Sequence, residues 1–270
     1  MAPSPDGAYY VVGMLDPLLW NSPLVIAHRG SRELWPENTM FAFEKALSLG
    51  VEHLETDVHV SADGVVHCFH DHTLARITGQ DGLFIDRTAR EIAKLDAGYR
   101  HRGAGGFEFR SSRIGIPTFE ELVTTFPRVR VVVDLKHDEV VEPLARTVKA
   151  LGVGERLLVG SFDDDRIDRF RALVGGEVAT STGVATSRSW LLASRSGRGV
   201  SGSASALQVP LQMRGLRIVD RKLVDAAHGR GLQVHAWTVN DPAMIRHLVS
   251  LGVDGIVTDR PDLAMAEIAG

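Results

Sequence analysis

Short runs of β-branched and other apolar residues alternate along most of the chain with stretches of helical periodicity. LVIAH (24–28), HLETDV (53–58), GVVHCF (64–69), VRVVVDL (129–135), RLLVGS (156–161), EVATS (177–181), ALQV (206–209), LQVHAWTV (232–239) and VDGIVTD (253–259) read as strands. Amphipathic helices are predicted near 38–49 and over 139–151, 163–173, 220–230 and 241–251. Strands that alternate with helices form parallel sheets, because each parallel connection has to cross over the sheet. GVVHCF is the exception: the Asp63-Gly64 turn makes it the antiparallel partner of HLETDV. About eight parallel strands in 270 residues predict an α/β fold closed into a TIM (β/α)8 barrel. An open doubly wound sheet is the rival, and no G-x-G-x-x-G turn follows the first strand to support it.

Local signals agree. Thr88 with Glu91 and Thr118 with Glu121 fit capping boxes, and Pro242 fits a first helical turn after Asn240-Asp241. Residues 1–23 read as an N-terminal arm and 24–270 as a single barrel domain. Residues 71–117, after the second strand region, hold one short helix among Gly- and Arg-rich loops and read as an insertion over one barrel face. Residues 194–205 read as a mobile surface loop. SLGVEHLETD (48–57) and SLGVDGIVTD (250–259) echo one another, which a shared helix-to-strand template explains as well as a duplication.

The charge balance, 30 basic against 34 acidic side chains, lacks the basic footprint of a nucleic-acid-binding protein. Cys68 is the only cysteine, so neither an intrachain disulfide nor a thiolate zinc cluster is available. The N-terminus lacks a signal-peptide pattern and no apolar run would span a bilayer, so a cytoplasmic protein without stable membrane insertion is expected.

Polar residues collect at the ends of the predicted strands. Glu55 and Asp57 share one strand face, and two such carboxylates repel unless a cation lies between them or one takes a proton. His28-Arg29, His70-Asp71, Asp134 with Lys136, Trp237 with Asn240, and Thr258-Asp259 end five further runs. In a barrel of this kind the C-terminal strand ends form the active-site face, so all are expected on one rim. Singly, each has a plainer role: a histidine bonded to backbone, a solvated carboxylate, a surface ion pair, a core tryptophan. His59, His67, His72 and His101 keep that plainer reading. Together, Glu55, Asp57 and Asp134 make an oxygen-rich set for a hard divalent cation, Mg²⁺ or Ca²⁺. His28 and His70 suit a general acid and base, while Arg29 and Lys136 suit an anion such as phosphate. That is the equipment of phosphoester cleavage.

At these positions the sequence resembles the glycerophosphodiester phosphodiesterases. The stretch AHRGSRELWPENTMFAFEKALSLGVEHLETDVHVSADGVVHCFHDHTLARITG carries His-Arg-Gly, Pro-Glu-Asn-Thr, Glu-x-Asp-Val and His-Asp in that family's order. The similarity continues through IPTFEEL (116–122), VVVDLK (131–136), VHAWTVN (234–240) and GVDGIVTDRPD (252–262). The resemblance implies a metal-dependent TIM-barrel enzyme that hydrolyses small glycerophosphodiesters to glycerol 3-phosphate and an alcohol. It implies that His28 and His70 are the catalytic pair, that Glu55, Asp57 and Asp134 are metal ligands, and that Arg29 and Lys136 contact phosphate. It places Glu37 near the metal and the glycerol end, and Trp237 on the pocket wall. Such enzymes usually carry Glu where this chain has Asp134, which bears on the metal accepted. The rivals are a lysophospholipase D-like enzyme, favoured by an apolar lip at Leu83, Phe84 and Ile85, and a non-catalytic phosphometabolite-binding barrel. A barrel aldolase is disfavoured, because Lys136 beside three carboxylates would stay charged.

Overall fold

The computed structural model describes residues 23–196, 200, 202–213 and 215–269. Most of the expected arm 1–23 and part of the expected loop 194–205 lie outside the described residues. The strands are β1 (Leu24–Ala27), β2 (His53–Val60), β3 (Val66–Cys68), β4 (Arg130–Leu135), β5 (Leu157–Gly160), β6 (Ala179–Thr180), β7 (Ala206–Pro210), β8 (Gln212–Met213), β9 (Leu216–Arg217), β10 (Gln233–Trp237) and β11 (Gly255–Thr258). The helices are α1 (Met40–Ser48), α2 (Ala75–Thr78), α3 (Ala89–Ile92), α4 (Phe119–Thr125), α5 (Val141–Leu151), α6 (Asp164–Val174), α7 (Val184–Ser196), α8 (Arg221–His228), α9 (Pro242–Ser250) and α10 (Pro261–Ala269).

Eight parallel strands follow the order β6-β5-β4-β2-β1-β11-β10-β7, and a parallel bridge between Ser181 and Ala206 joins the two ends. This is the TIM barrel that the strand–helix alternation predicts. Period-two alternation divides the strand residues between two cores. Val25, Ala27, Leu54, Val58, Val131 and Val133 pack outward into the main core beneath the helices. Leu24, Ile26, Val132, Leu158, Ala206 and Val257 fill the lumen. Each fully buried valine, leucine or isoleucine contributes about 1.5–3 kcal/mol relative to exposure. The same alternation turns Glu55, Asp57 and Asp134 toward the lumen, with Asp57 in register with Asp134 and Glu55 with Val132. The carboxylates therefore lie at the C-terminal end of an apolar plug.

Both predicted capping boxes form, at Thr88–Glu91 and Thr118–Glu121, and Pro242 opens α9 behind the Asp241 cap. Gly64, at φ +84°, makes the hairpin turn that lays β3 antiparallel on β2. Burial pushes the Cys68 thiol up to about 12, so it is unreactive.

Between β3 and α4 the chain builds a small core of its own from Phe69, Leu74, Ile77, Phe84, Ile92 and Ala97. It holds two short helices, α2 and α3, where the sequence predicts one; the four residues of α2 are too few to show a period. The apolar lip expected at Leu83, Phe84 and Ile85 does not form. Phe84 is buried and stacks on Phe69 with ring centroids 4.7 Å apart, Ile85 is half-buried, and only Leu83 is exposed. Helix α7 runs through Ser196 into the segment expected as a loop, and the β8–β9 hairpin has no counterpart in the sequence reading. Among the described residues no helix is long and apolar enough to cross a membrane.

Candidate active site

The first strand ends in a left-handed segment, with φ of 51° at Arg29, 73° at Gly30 and 80° at Ser31. Gly30 is required there twice over, since a Cβ would also lie 2.9 Å from both Ala42 Cβ and Phe43 Cδ1. The turn brings the Arg29 amide onto Glu55 Oε2 at 2.9 Å and the Ser31 hydroxyl onto the Asp259 carbonyl at 2.8 Å. The buried Arg29 side chain donates from Nη1 to Glu37 Oε1 at 2.8 Å and sets Nε 3.0 Å from Asp57 Oδ2.

The Pro-Glu-Asn-Thr segment works residue by residue. Thr39 caps α1 through the Ala42 amide, and Glu37 accepts from both Arg29 and Arg76. Asn38 fixes the end of β2: its Oδ1 accepts from the Thr56 hydroxyl at 2.7 Å, and its Nδ2 donates to Asp57 Oδ2 at 2.9 Å. Asn240 repeats this at the end of β11, accepting from the Thr258 hydroxyl at 3.1 Å and donating to Asp259 Oδ2 at 3.2 Å. The two asparagines stand the same 18 and 19 residues before their Thr and Asp partners. The sequence echo thus extends to its hydrogen bonds.

Lys136 Nζ lies 2.8 Å from Asp57 Oδ1 and 2.5 Å from Asp134 Oδ2. Burial opposes the Asp57 charge, but Lys136 and Arg29 outweigh it and hold that carboxyl well below the usual range. Glu55 fares differently. Burial, and then the adjacent Asp57 charge, push its carboxyl up to about 7. Burial also raises Asp134, despite Lys136.

Two histidines flank these carboxylates. His28 Nδ1 is 2.6 Å from Asp259 Oδ1, and His70 Nδ1 is 2.6 Å from Asp71 Oδ1. With each Nδ1–H given to a carboxylate, Nε2 is left as the nitrogen for proton transfer. Burial works against protonation of His28, yet Glu55 and Asp259 outweigh it and raise its pKa. Burial likewise opposes the Asp71 charge, while hydrogen bonds from His70 and Arg76 keep its carboxyl below the usual range. The His70 carbonyl accepts from His59 Nε2 at 2.9 Å, and burial pushes His59 down to about 3, so it is the neutral donor.

His28, Arg29, Glu55, Asp57, His70, Asp134, Lys136 and Trp237 all line one cavity of about 340 Å³ at the C-terminal mouth of the barrel. Glu37 stands just beyond, reached through Arg29, and lines a second cavity that shares Arg29 and His70 with the first. Trp237 meets Phe162 edge to face at 5.6 Å, and with Val184, Leu191, Met213 and Ile218 they give the first cavity an apolar flank.

In the connected network, the carboxylates of Glu37, Glu55, Asp57, Asp71, Asp134 and Asp259 outnumber the cations Arg29, Arg32, Arg76 and Lys136. The rim thus holds more acidic than basic side chains, and the neighbouring Asp57 charge adds to the burial that raises Glu55. The donor chemistry of Glu55, Asp57 and Asp134 therefore suits a hard divalent cation. Among the described residues no three acidic, histidine or cysteine side chains already stand in a metal-holding cluster; Lys136 lies between Asp57 and Asp134.

Asp71 and Asp259 are expected on the rim from the sequence but without a partner or role, Asn38 appears there only within the Pro-Glu-Asn-Thr motif, and Arg76 is not singled out. For Asp259 a signal existed, since Thr258-Asp259 echoes Thr56-Asp57. Arg76 carried none: it reaches Glu37 across 39 residues and ties α2 to the barrel rim.

Residues 28–263 match the glycerophosphoryl diester phosphodiesterase family. The Mycobacterium tuberculosis protein named "Probable glycerophosphodiester phosphodiesterase 2" is 34% identical over 246 residues, covering 89% of this chain and 88% of that protein. A Bacillus altitudinis glycerophosphodiester phosphodiesterase is 30% identical, over 89% of this chain and 96% of its own. An Oleispira antarctica phosphodiesterase, solved in complex with the product sn-glycerol-3-phosphate, superposes with a TM-score of 0.74 at 25% identity, covering 92% of this chain and 97% of that one.

Proposed function

The chain belongs to the glycerophosphoryl diester phosphodiesterase family, and we propose that it hydrolyses small glycerophosphodiesters to glycerol 3-phosphate and an alcohol with His28 and His70 as its acid/base pair. One observation carries this reading: both histidines, each held through Nδ1 by a carboxylate at 2.6 Å, face the cavity that also receives Arg29 and Lys136.

The carboxylates hold each imidazole in one orientation and stabilise its charged form, so Nε2 can take or give a proton. One histidine deprotonates the nucleophile and the other protonates the departing alcohol. Arg29 and Lys136, already fixed by Asp57, present positive charge to the phosphate oxygens without reorganising. Glu37 holds Arg29 in place, and Trp237 walls the pocket where an alcohol arm lies.

A monoanionic diester is repelled by a rim with excess carboxylate charge. Glu55, Asp57 and Asp134 would hold a divalent cation, Mg²⁺ or Ca²⁺, that offsets it; when bound, the ion polarises a phosphate oxygen. The shorter Asp134 favours the ion whose bond lengths tolerate a longer reach, Ca²⁺ over Mg²⁺.

The apolar flank of Val184, Leu191, Met213 and Ile218 favours a second reading, cleavage of lysophospholipids whose apolar arm lies along it. One assay decides. Chelator-stripped protein is given Mg²⁺ or Ca²⁺ and offered glycerophosphocholine, glycerophosphoethanolamine and a lysophosphatidylcholine. Metal-restored release of glycerol 3-phosphate from the first two supports the main reading, and preferential cleavage of the third supports the second. A folded, metal-loaded protein inert toward all three refutes both.

A further inference from the structure

The second cavity, of about 610 Å³, lies on the insertion side and shares Arg29, Arg32, His70 and Asp259 with the first. An arm of any diester centred on His70 can therefore pass into it. Its lining opposes five arginines to three carboxylates. Two of those carboxylates are already engaged: Glu37 by Arg29 and Arg76, and Asp259 by His28 and Asn240. Arg76 is spent on Glu37 and Asp71.

Arg100 and Arg102 differ from Arg76. Both are exposed, both line the cavity, and neither has a carboxylate partner among the described residues. Arg32, at 3.4 Å from Asp259 and half-exposed, completes a basin with positive charge to spare. His101 between the two arginines is kept neutral by burial and adds no charge. The two cavities are thus unlike: the barrel-side one has an apolar flank, and the insertion-side one is cationic. Guanidinium groups without a protein acid are suited to bidentate capture of a ligand phosphate or carboxylate.

We propose that the insertion-side basin selects diesters whose second alcohol carries an anionic group of its own, with Arg100 and Arg102 as its recognition pair. The inference rests on the phosphodiesterase reading for its kinetic test and on binding alone for its second test.

The kinetic test compares glycerol diesters whose second alcohol ends in a phosphate, a carboxylate or a neutral hydroxyl. Wild type should favour one or both anionic arms on the order of tenfold in kcat/KM, from the usual strength of charge-assisted hydrogen bonds. The double variant Arg100→Ala/Arg102→Ala should lose that preference while cleaving the neutral diester within about twofold of wild type. Equal rates on all three arms, or a double variant that loses all of them alike, overturns the proposal. The phosphate and carboxylate arms separate the two kinds of anion.

The binding test uses glycerol 1,3-bisphosphate against glycerol 3-phosphate by calorimetry on wild type and the same double variant. A preference for the bisphosphate that disappears in the variant supports the basin even if no diester is cleaved, in which case only the phosphodiesterase reading fails. Equal affinities in wild type, or a preference that survives in the variant, refute the basin.

Discussion

His28 Nδ1 stands 2.6 Å from Asp259 Oδ1, and Asn240 fixes that carboxylate from its other oxygen at 3.2 Å. The bond sets which His28 nitrogen carries its proton and where the ring points. Asp259→Asn keeps the shape but offers an amide that can present N–H instead of an acceptor. The expected outcome is a loss of kcat of about a hundredfold or more, with KM changed by much less. Steady-state kinetics beside a thermal melt check this, since a fall in kcat without a fall in melting temperature separates positioning from unfolding.

Lys136 is the only side-chain cation that contacts Asp134 among the described residues, and it also neutralises Asp57. Lys136→Met leaves the buried Asp57 with Arg29 alone and the part-buried Asp134 with no contacting cation among the described residues. Breaking a buried pair in this way costs about 3–5 kcal/mol. A divalent cation should recover part of the loss, by more than it stabilises wild type, because the vacated space is where the charge is missing. Urea unfolding with and without Mg²⁺ or Ca²⁺ measures both effects; a variant as stable as wild type in chelator would contradict the charge balance described.

Stability should fall as pH drops below about 6.5. Burial, ahead of other causes, pushes His53 and His59 down to about 3 and His235 down to about 4. Between those values and the unfolded value the folded chain binds fewer protons than the unfolded one, so stability rises with pH there and is lost on acidification. Glu55, raised to about 7, acts in the opposite sense, as do the raised Asp134 and His28, but burial also lowers His67, His101 and His137, so six lowered histidines stand against three raised groups. Urea midpoints at pH 5 and 7 test the sign, and His235→Gln should flatten the dependence by about one proton.

The barrel was legible because strand and helix periods alternate cleanly, and the rim followed from it. Residues as far apart as His28, Asp134 and Trp237 meet because parallel strands all end on one face. What stayed hidden were partners with no period to reveal them. Asp259 was legible as a rim residue but not as the partner of His28 across 231 residues, and Arg76 sits on a four-residue helix. Phe84 misled for a physical reason: an aromatic residue in a loop-rich insertion looks like a lip, but the insertion needs its own core and Phe84 stacks there on Phe69. The apolar flank instead comes from α7 and the short β8–β9 region, where Leu191 and Met213 carry no recognisable pattern. His59 kept its structural reading, yet its bond to the His70 carbonyl makes it support for the site.

The division of labour between His28 and His70 is the centre of the account, and leaving-group dependence tests it most directly. His28→Ala and His70→Ala, each with metal supplied, would be assayed on glycerophosphocholine and on a p-nitrophenyl phosphodiester, whose leaving group needs no proton. Both variants should be crippled on glycerophosphocholine, and only one, the variant lacking the general acid, should recover on the p-nitrophenyl ester. If either variant cleaves glycerophosphocholine at close to the wild-type rate, or if both respond to the better leaving group alike, the two histidines do not form the acid/base pair.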